Sequence, residues 1–76
     1  MHPPHDTSTW PKSRVVAARL REEFAELGLT EQEIRQIIPT ADIKGREQVR
    51  LGTVSADSAD LLAAALYAAR AARARS

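Results

Sequence analysis

The chain has no cysteine, only three aromatic residues and no long apolar run. The missing cysteines and the missing apolar run each exclude a class of protein. With no cysteine among its 76 residues, disulfides, thiolate catalysis and cysteine-ligated metals are excluded. No run approaches the roughly 20 apolar residues of a membrane span. The first residues also lack the apolar stretch of a secretory signal. We therefore expect a cytoplasmic protein with no membrane association.

The charges nearly cancel, because eleven Lys and Arg residues face ten Asp and Glu residues. A dedicated nonspecific nucleic-acid binder is usually more basic than this. Nine of the eleven cations are arginine, whose guanidinium group favours bidentate contacts with phosphate or carboxylate. The abundance of alanine and arginine is equally what the codon usage of a GC-rich genome produces. Composition alone therefore does not select a partner.

The sequence divides into a short arm and one small domain. Residues 1–13 hold three of the four prolines and both histidines, a composition typical of a disordered arm. Residues 14–76 then form a single domain with a frayed, basic C-terminus. Its large apolar residues are few, so the core is thin and self-association becomes a way to complete it.

The first predicted helix covers residues 14–27 and ends at Gly28, as helices often do at a glycine. Arg19 and Glu23 on its outer face are spaced for an i,i+4 ion pair. Its apolar side chains recur at steps of four, four and three residues, which makes one buried stripe: Val16, Leu20, Phe24 and Leu27.

A second helix is predicted over residues 30–38. Thr30 and Glu33 have the T-x-x-E spacing of a capping box, which marks a helix start. Pro39 ends the helix, because a proline disfavours helical geometry in the residue before it. The predicted buried face of this helix consists of isoleucines: Ile34, Ile37 and Ile38.

Residues 40–54 change to a two-residue alternation, which is typical of a strand. We predict a strand over residues 47–54 and a turn at Lys44-Gly45. Residues 41–43 are the predicted partner strand. Gly52 weakens the longer strand or marks a bulge in it.

A third helix is predicted over residues 56–74. Nine of the sixteen residues from 59 to 74 are alanine, the strongest intrinsic helix former. Asp57 and Asp60 suit its start, and the arginines near its end suit the opposite pole of the helix dipole. The predicted fold class is α+β, mostly helical, in the order helix, helix, short β-hairpin, long C-terminal helix. The alternative is an all-α three-helix bundle in which residues 40–54 form a loop.

The stretch from residue 19 to 38 resembles a generic helix-turn-helix DNA-binding motif. Gly28 stands at the turn, apolar residues flank it, and Thr30 caps the second helix. Phe24 stands where such motifs prefer a small residue, so either the helices cross more widely or the pair is an ordinary helical hairpin. The resemblance implies that polar side chains of the second helix face base edges: Gln32, Arg35 and Gln36.

Basic residues of the predicted hairpin are the stronger electrostatic candidates for binding DNA. Lys44, Arg46 and Arg50 alternate along the sequence, so a regular hairpin projects them from one face toward phosphates. The alternative is that they protect an exposed strand edge from pairing with other chains.

These patterns support two functional hypotheses, which are compatible with each other. The first is a small, dimeric DNA-binding or regulatory domain that contacts phosphates through its basic hairpin. The second is a homo-oligomerisation or protein-interaction module that uses a stripe on the alanine-rich helix: Leu61, Ala65, Ala68 and Ala72. We expect no enzyme, because no catalytic residues, metal ligands, cofactor motif or small-molecule substrate site can be recognised and both histidines lie in the arm.

Overall fold

The computed structural model of the protein describes residues 10–75 and has the predicted α+β architecture. Three helices accompany one two-stranded antiparallel sheet. The all-α alternative is wrong, because the segment between the second and third helices forms paired strands. The predicted arm falls largely outside the described residues. The elements in chain order are α1 (Pro11–Leu27), α2 (Glu31–Arg35), β1 (Ile38–Ala41), β2 (Glu47–Arg50) and α3 (Ala56–Arg75).

Helix α1 begins at Pro11, three residues before the predicted start. Proline suits the first position of a helix, because its ring fixes a helical φ and its missing N–H has no partner there in any case. A carboxylate from β2 strengthens this end, since the Ser13 backbone N–H donates to Glu47 Oε1 at 2.8 Å. Residues 11–13, which we predicted as part of the arm, therefore belong to the helix.

The turn between α1 and α2 contains the two predicted caps, Gly28 at the end of α1 and Thr30 at the start of α2. Gly28 adopts a left-handed φ of 95°, and its N–H donates to the Ala25 carbonyl at 3.1 Å. The capping box is also confirmed. Thr30 Oγ1 accepts from the Glu33 N–H at 3.2 Å, and Glu33 Oε1 accepts from the Thr30 N–H at 3.0 Å.

Helix α2 ends at Arg35, three residues earlier than predicted. Pro39 disfavours helical geometry in Ile38, and Ile38 instead pairs with Arg50 across the hairpin. The prediction treated Pro39 only as a helix terminator. It missed that the extended geometry favoured before a proline also allows Ile38 to join a strand.

The hairpin pairs residues 38–41 with 47–50, so the predicted partner at 41–43 and the predicted strand end at 54 are wrong. Asp42 fixes the turn instead. Its Oδ1 accepts from the Lys44 and Arg46 N–H groups, both at 2.9 Å. These backbone donors, with Arg46 first, lower the pKa of Asp42 below its usual value.

The core lies between α1, α2 and the hairpin. Helix α3 reaches it only near its start, where Ser58 is buried and Leu62 is half-buried. The predicted α1 stripe faces this core, with Phe24 buried and the other three members half-buried. The buried apolar residues come from α1, the α1–α2 turn and the approach to β1: Ala17, Phe24, Leu29 and Ile37.

Candidate interaction surface

One carboxylate fixes the start of α3 against α2. Glu33 is only 8% exposed. Its Oε2 accepts from the Ser55 N–H at 2.8 Å, and its Oε1 accepts from Ser58 Oγ at 2.8 Å. The Ser55 N–H, the Thr30 N–H and the Ser58 hydroxyl, in that order, lower the pKa of Glu33 to about 2. The direction in which α3 leaves the core is therefore set by a charged, fully hydrogen-bonded side chain.

Beyond this anchor, the inner face of α3 extends further than the core does. At about 100° per residue, Ser58, Leu62, Ala65 and Ala69 follow one face of the helix, and Leu66 flanks it. Ser58 is 7% exposed, whereas Leu66 is 70% exposed. The helix has 20 residues and is therefore about 30 Å long. Leu62 packs against the core, and the helix continues for thirteen residues after it.

An open apolar groove lies where α1 and α3 diverge. Its volume is about 470 Å³, and its walls are almost entirely hydrocarbon. Glu23 is the one charged residue at its edge. We call it the α1–α3 groove, and Leu51 completes a lining formed by side chains of both helices: Leu20, Phe24 and Leu27 from α1, and Leu62, Ala65, Leu66 and Ala69 from α3.

The predicted interface stripe runs along one edge of this surface. Ala65 lines the α1–α3 groove, and Leu61 is 42% exposed beside it. Ala68 and Ala72 are exposed further along α3. The prediction omitted Leu66 and the whole α1 wall. Leu66 was visible as a large apolar residue, but a sequence does not give the angle at which two helices diverge.

The three predicted phosphate contacts do not form one alternating row. Lys44 lies in the turn, Arg46 precedes β2, and Arg50 lies in it. Arg46 Nε donates to Asp42 Oδ2 at 2.6 Å, so this guanidinium is already paired with a carboxylate. Lys44 and Arg50 are exposed.

The residues predicted to face bases lie on or just after a very short helix. Gln32 is exposed on α2, and Arg35 lies 3.6 Å from the Glu31 carboxylate. Gln36 follows the helix, and its Oε1 accepts from the Thr53 N–H at 2.6 Å. Gln36 therefore holds the loop before α3, and base contacts by these three side chains stay a prediction.

The comparisons with known proteins add no relative. The chain matches no protein-family model, no curated protein and no solved structure. Across residues 10–75, no helix is long and apolar enough to cross a membrane. The same residues contain no cluster of three or more histidine, aspartate or glutamate side chains arranged to hold a metal ion.

Proposed function

We propose that the protein is a homo-oligomerisation module that forms a dimer through α3. The observation that carries this proposal is the exposure of Leu66, a large apolar side chain at the edge of an apolar groove. An apolar groove with an exposed leucine at its edge is a candidate interaction site.

The small size of the core supports the same proposal. Only four apolar residues of the described chain are buried, and two of the largest side chains of α3, Leu66 and Tyr67, are exposed. Burying one leucine fully contributes about 1.5–3 kcal/mol. In a symmetric dimer every such contact occurs twice, because both subunits offer the same surface. Self-association would therefore bury apolar side chains that the single chain leaves exposed.

Sedimentation velocity over a range of protein concentrations tests the proposal with two neighbouring substitutions. Leu66→Glu places a charge on the groove side of α3. Tyr67→Glu makes a similar change one residue later, about 100° around the helix. Leu66 is 70% exposed and Tyr67 is 65% exposed, so neither change disturbs the core of the subunit.

We expect the wild type and Tyr67→Glu to sediment as dimers and Leu66→Glu to sediment as a monomer. A wild type that stays monomeric at every concentration would overturn the proposal. Equal dissociation by both substitutions would show that the groove side is not the interface.

A second candidate function is phosphate-backbone binding through the hairpin. It is favoured by the exposed cations Lys44 and Arg50, which form no ion pair within the described residues, in contrast to Arg46. Such contacts release counterions, so affinity falls steeply as salt rises. The short α2 makes phosphate contact a better-supported role than base reading.

Fluorescence anisotropy with a mixed-sequence DNA duplex, at low and at physiological salt, tests this second candidate. Arg50→Gln should weaken binding and reduce its salt dependence, whereas Arg19→Gln, which removes the same charge from α1, should change both little. Equal effects of the two substitutions would indicate a general charge effect. No binding at low salt would contradict the candidate.

A further inference from the structure

We infer that the α1–α3 groove is filled by α3 of a second copy of this chain, running antiparallel to the first α3. This inference rests on the proposed self-association and specifies its geometry. It names both the occupant of the groove and the pair of charges that sets the orientation.

The shape of the surface suits a helix related by a two-fold axis. Leu66 lies at the middle of α3, which spans residues 56–75, so an antiparallel pair centred on Leu66 overlaps along the whole helix. Ala65 and Ala69 line the groove next to it, and their small side chains allow a second helix to approach closely. Each copy then inserts its Leu66 into the groove of the other, as an isologous interface requires.

The second half of α1 and the last turns of α3 carry charges of opposite sign. Glu23 lies at the edge of the groove, and the exposed Glu22 and Glu26 are its neighbours on α1. The last turns of α3 are basic instead, with Arg70 and Arg75 exposed. The one charged residue at the edge of the groove is therefore acidic, which favours an incoming helix whose end is cationic, and α3 itself is such a helix.

Antiparallel pairing brings these charges together. Arg70 follows Leu66 by four residues, and Leu62 precedes it by four, so the Arg70 side chain of one copy lies opposite Leu62 of the other. Leu62 and Glu23 line the same α1–α3 groove. The pair formed across the interface is therefore Glu23 of one copy with Arg70 of the other, and it occurs twice in the dimer.

Both members of this pair are available for it. Glu23 is spaced for an ion pair with Arg19, but no such pair forms in the part of the chain that the structure describes. The Arg70 guanidinium lies 5.5 Å from the centre of the Tyr67 ring, a weak contact on an exposed surface. Neither residue contributes to the buried core, so replacing either one leaves the subunit fold intact.

A charge exchange between two variants tests the inference by sedimentation equilibrium. Glu23→Arg alone sets two cations against each other across the interface, and Arg70→Glu alone sets two carboxylates against each other. Each variant should therefore dimerise about tenfold more weakly than the wild type. In an equimolar mixture, the heterodimer has an opposite-charge pair at both contacts. The mixture should regain wild-type association, and so should the double variant. Circular dichroism of each variant checks that helix content is unchanged.

The outcomes separate this inference from the proposed function. A monomeric wild type would overturn the self-association itself and the inference with it. A dimeric wild type whose association is unchanged by either charge reversal, or is not restored by mixing, would overturn the antiparallel groove geometry. The proposed dimerisation through α3 would survive that second result, because the Leu66 test does not depend on orientation.

Discussion

The segment from α1 to the hairpin and the helix α3 are ordered by different forces. In the first region, side chains hold particular backbone atoms in place. Arg21 Nε donates to the Ile37 carbonyl at 2.9 Å, and Glu47 accepts from the Ser13 N–H. Helix α3 is attached at its start through Glu33, and Ser55 Oγ caps it by accepting from the Ser58 N–H at 3.0 Å. Its remaining turns rely on the intrinsic helix propensity of alanine.

This difference is consistent with the proposal that α3 carries the interaction surface. A segment that needs tertiary contacts to keep its shape must bury its apolar side chains within its own chain. A helix of 20 residues rich in alanine keeps its shape with fewer tertiary contacts, so it can present Leu66 outward. In the proposed dimer, the first region is the folded support and α3 is the element that contacts another copy.

The largest expected difference between the two regions comes from truncating an apolar side chain in each. Phe24→Ala removes a ring that is 6% exposed from a core of four buried apolar residues, and we expect it to lower the free energy of unfolding by about 3–5 kcal/mol. Leu66→Ala, measured below the dimerisation concentration, should change it by less than about 0.5 kcal/mol. Urea unfolding followed by circular dichroism measures both. Equal losses would remove the distinction between the regions.

A pair of glycines tests how tightly the loop before α3 is held. Gly52 has a φ of 78°, and a Cβ there would overlap the Gln36 side chain. Gly45 has a φ of 83° with open space around it. Gly45→Ala should therefore lower the free energy of unfolding by about 1 kcal/mol, because alanine disfavours a positive φ. Gly52→Ala should lower it by about 1–3 kcal/mol more, because the added Cβ also disrupts packing against Gln36. Thermal unfolding of the two variants gives the comparison, and similar losses would show that Gln36 can move away.

Removing the charge of Glu33 should give a smaller effect that depends on pH. Because the fold lowers the pKa of Glu33 from 4.5 to about 2, the stability that its ionised form contributes is fully present above pH 4.5. It is lost as the pH falls through about 2. We expect Glu33→Gln to lower the melting temperature by several degrees at pH 7, with the two proteins converging as the pH approaches 2. A difference that stays constant with pH would assign the effect to packing instead of charge.

The sequence predicts those parts of the fold in which residues signal locally. The T-x-x-E capping box at Thr30, the C-terminal glycine at residue 28 and the run of alanines each specify a backbone conformation through nearby atoms. The strand limits were wrong because Asp42, whose side chain closes the turn, was not recognised as its organiser. The loop extends from Asp42 to Arg46 instead of being confined to Lys44-Gly45, so the partner strand already ends at Ala41.

The candidate site was predicted only in part, because it depends on contacts between distant residues. Ala65 was expected at an interface, whereas the α1 wall formed by Leu20 and Leu27 was assigned to the core stripe. The role of Glu33 was also underestimated. Its capping box is local, but its bonds to Ser55 and Ser58 join segments more than twenty residues apart.

Hydrogen exchange at two protein concentrations tests the central claim most directly, because it reports on both regions of the molecule at once. We expect the backbone amides of α3 beyond Ala65 to exchange more slowly at the higher concentration, at which dimers form. The N-terminal amides of α1 and those of the hairpin should gain less protection, because their contacts lie within one chain. If the α3 amides exchange rapidly and at the same rate at both concentrations, the claim that a second copy packs against this helix is contradicted.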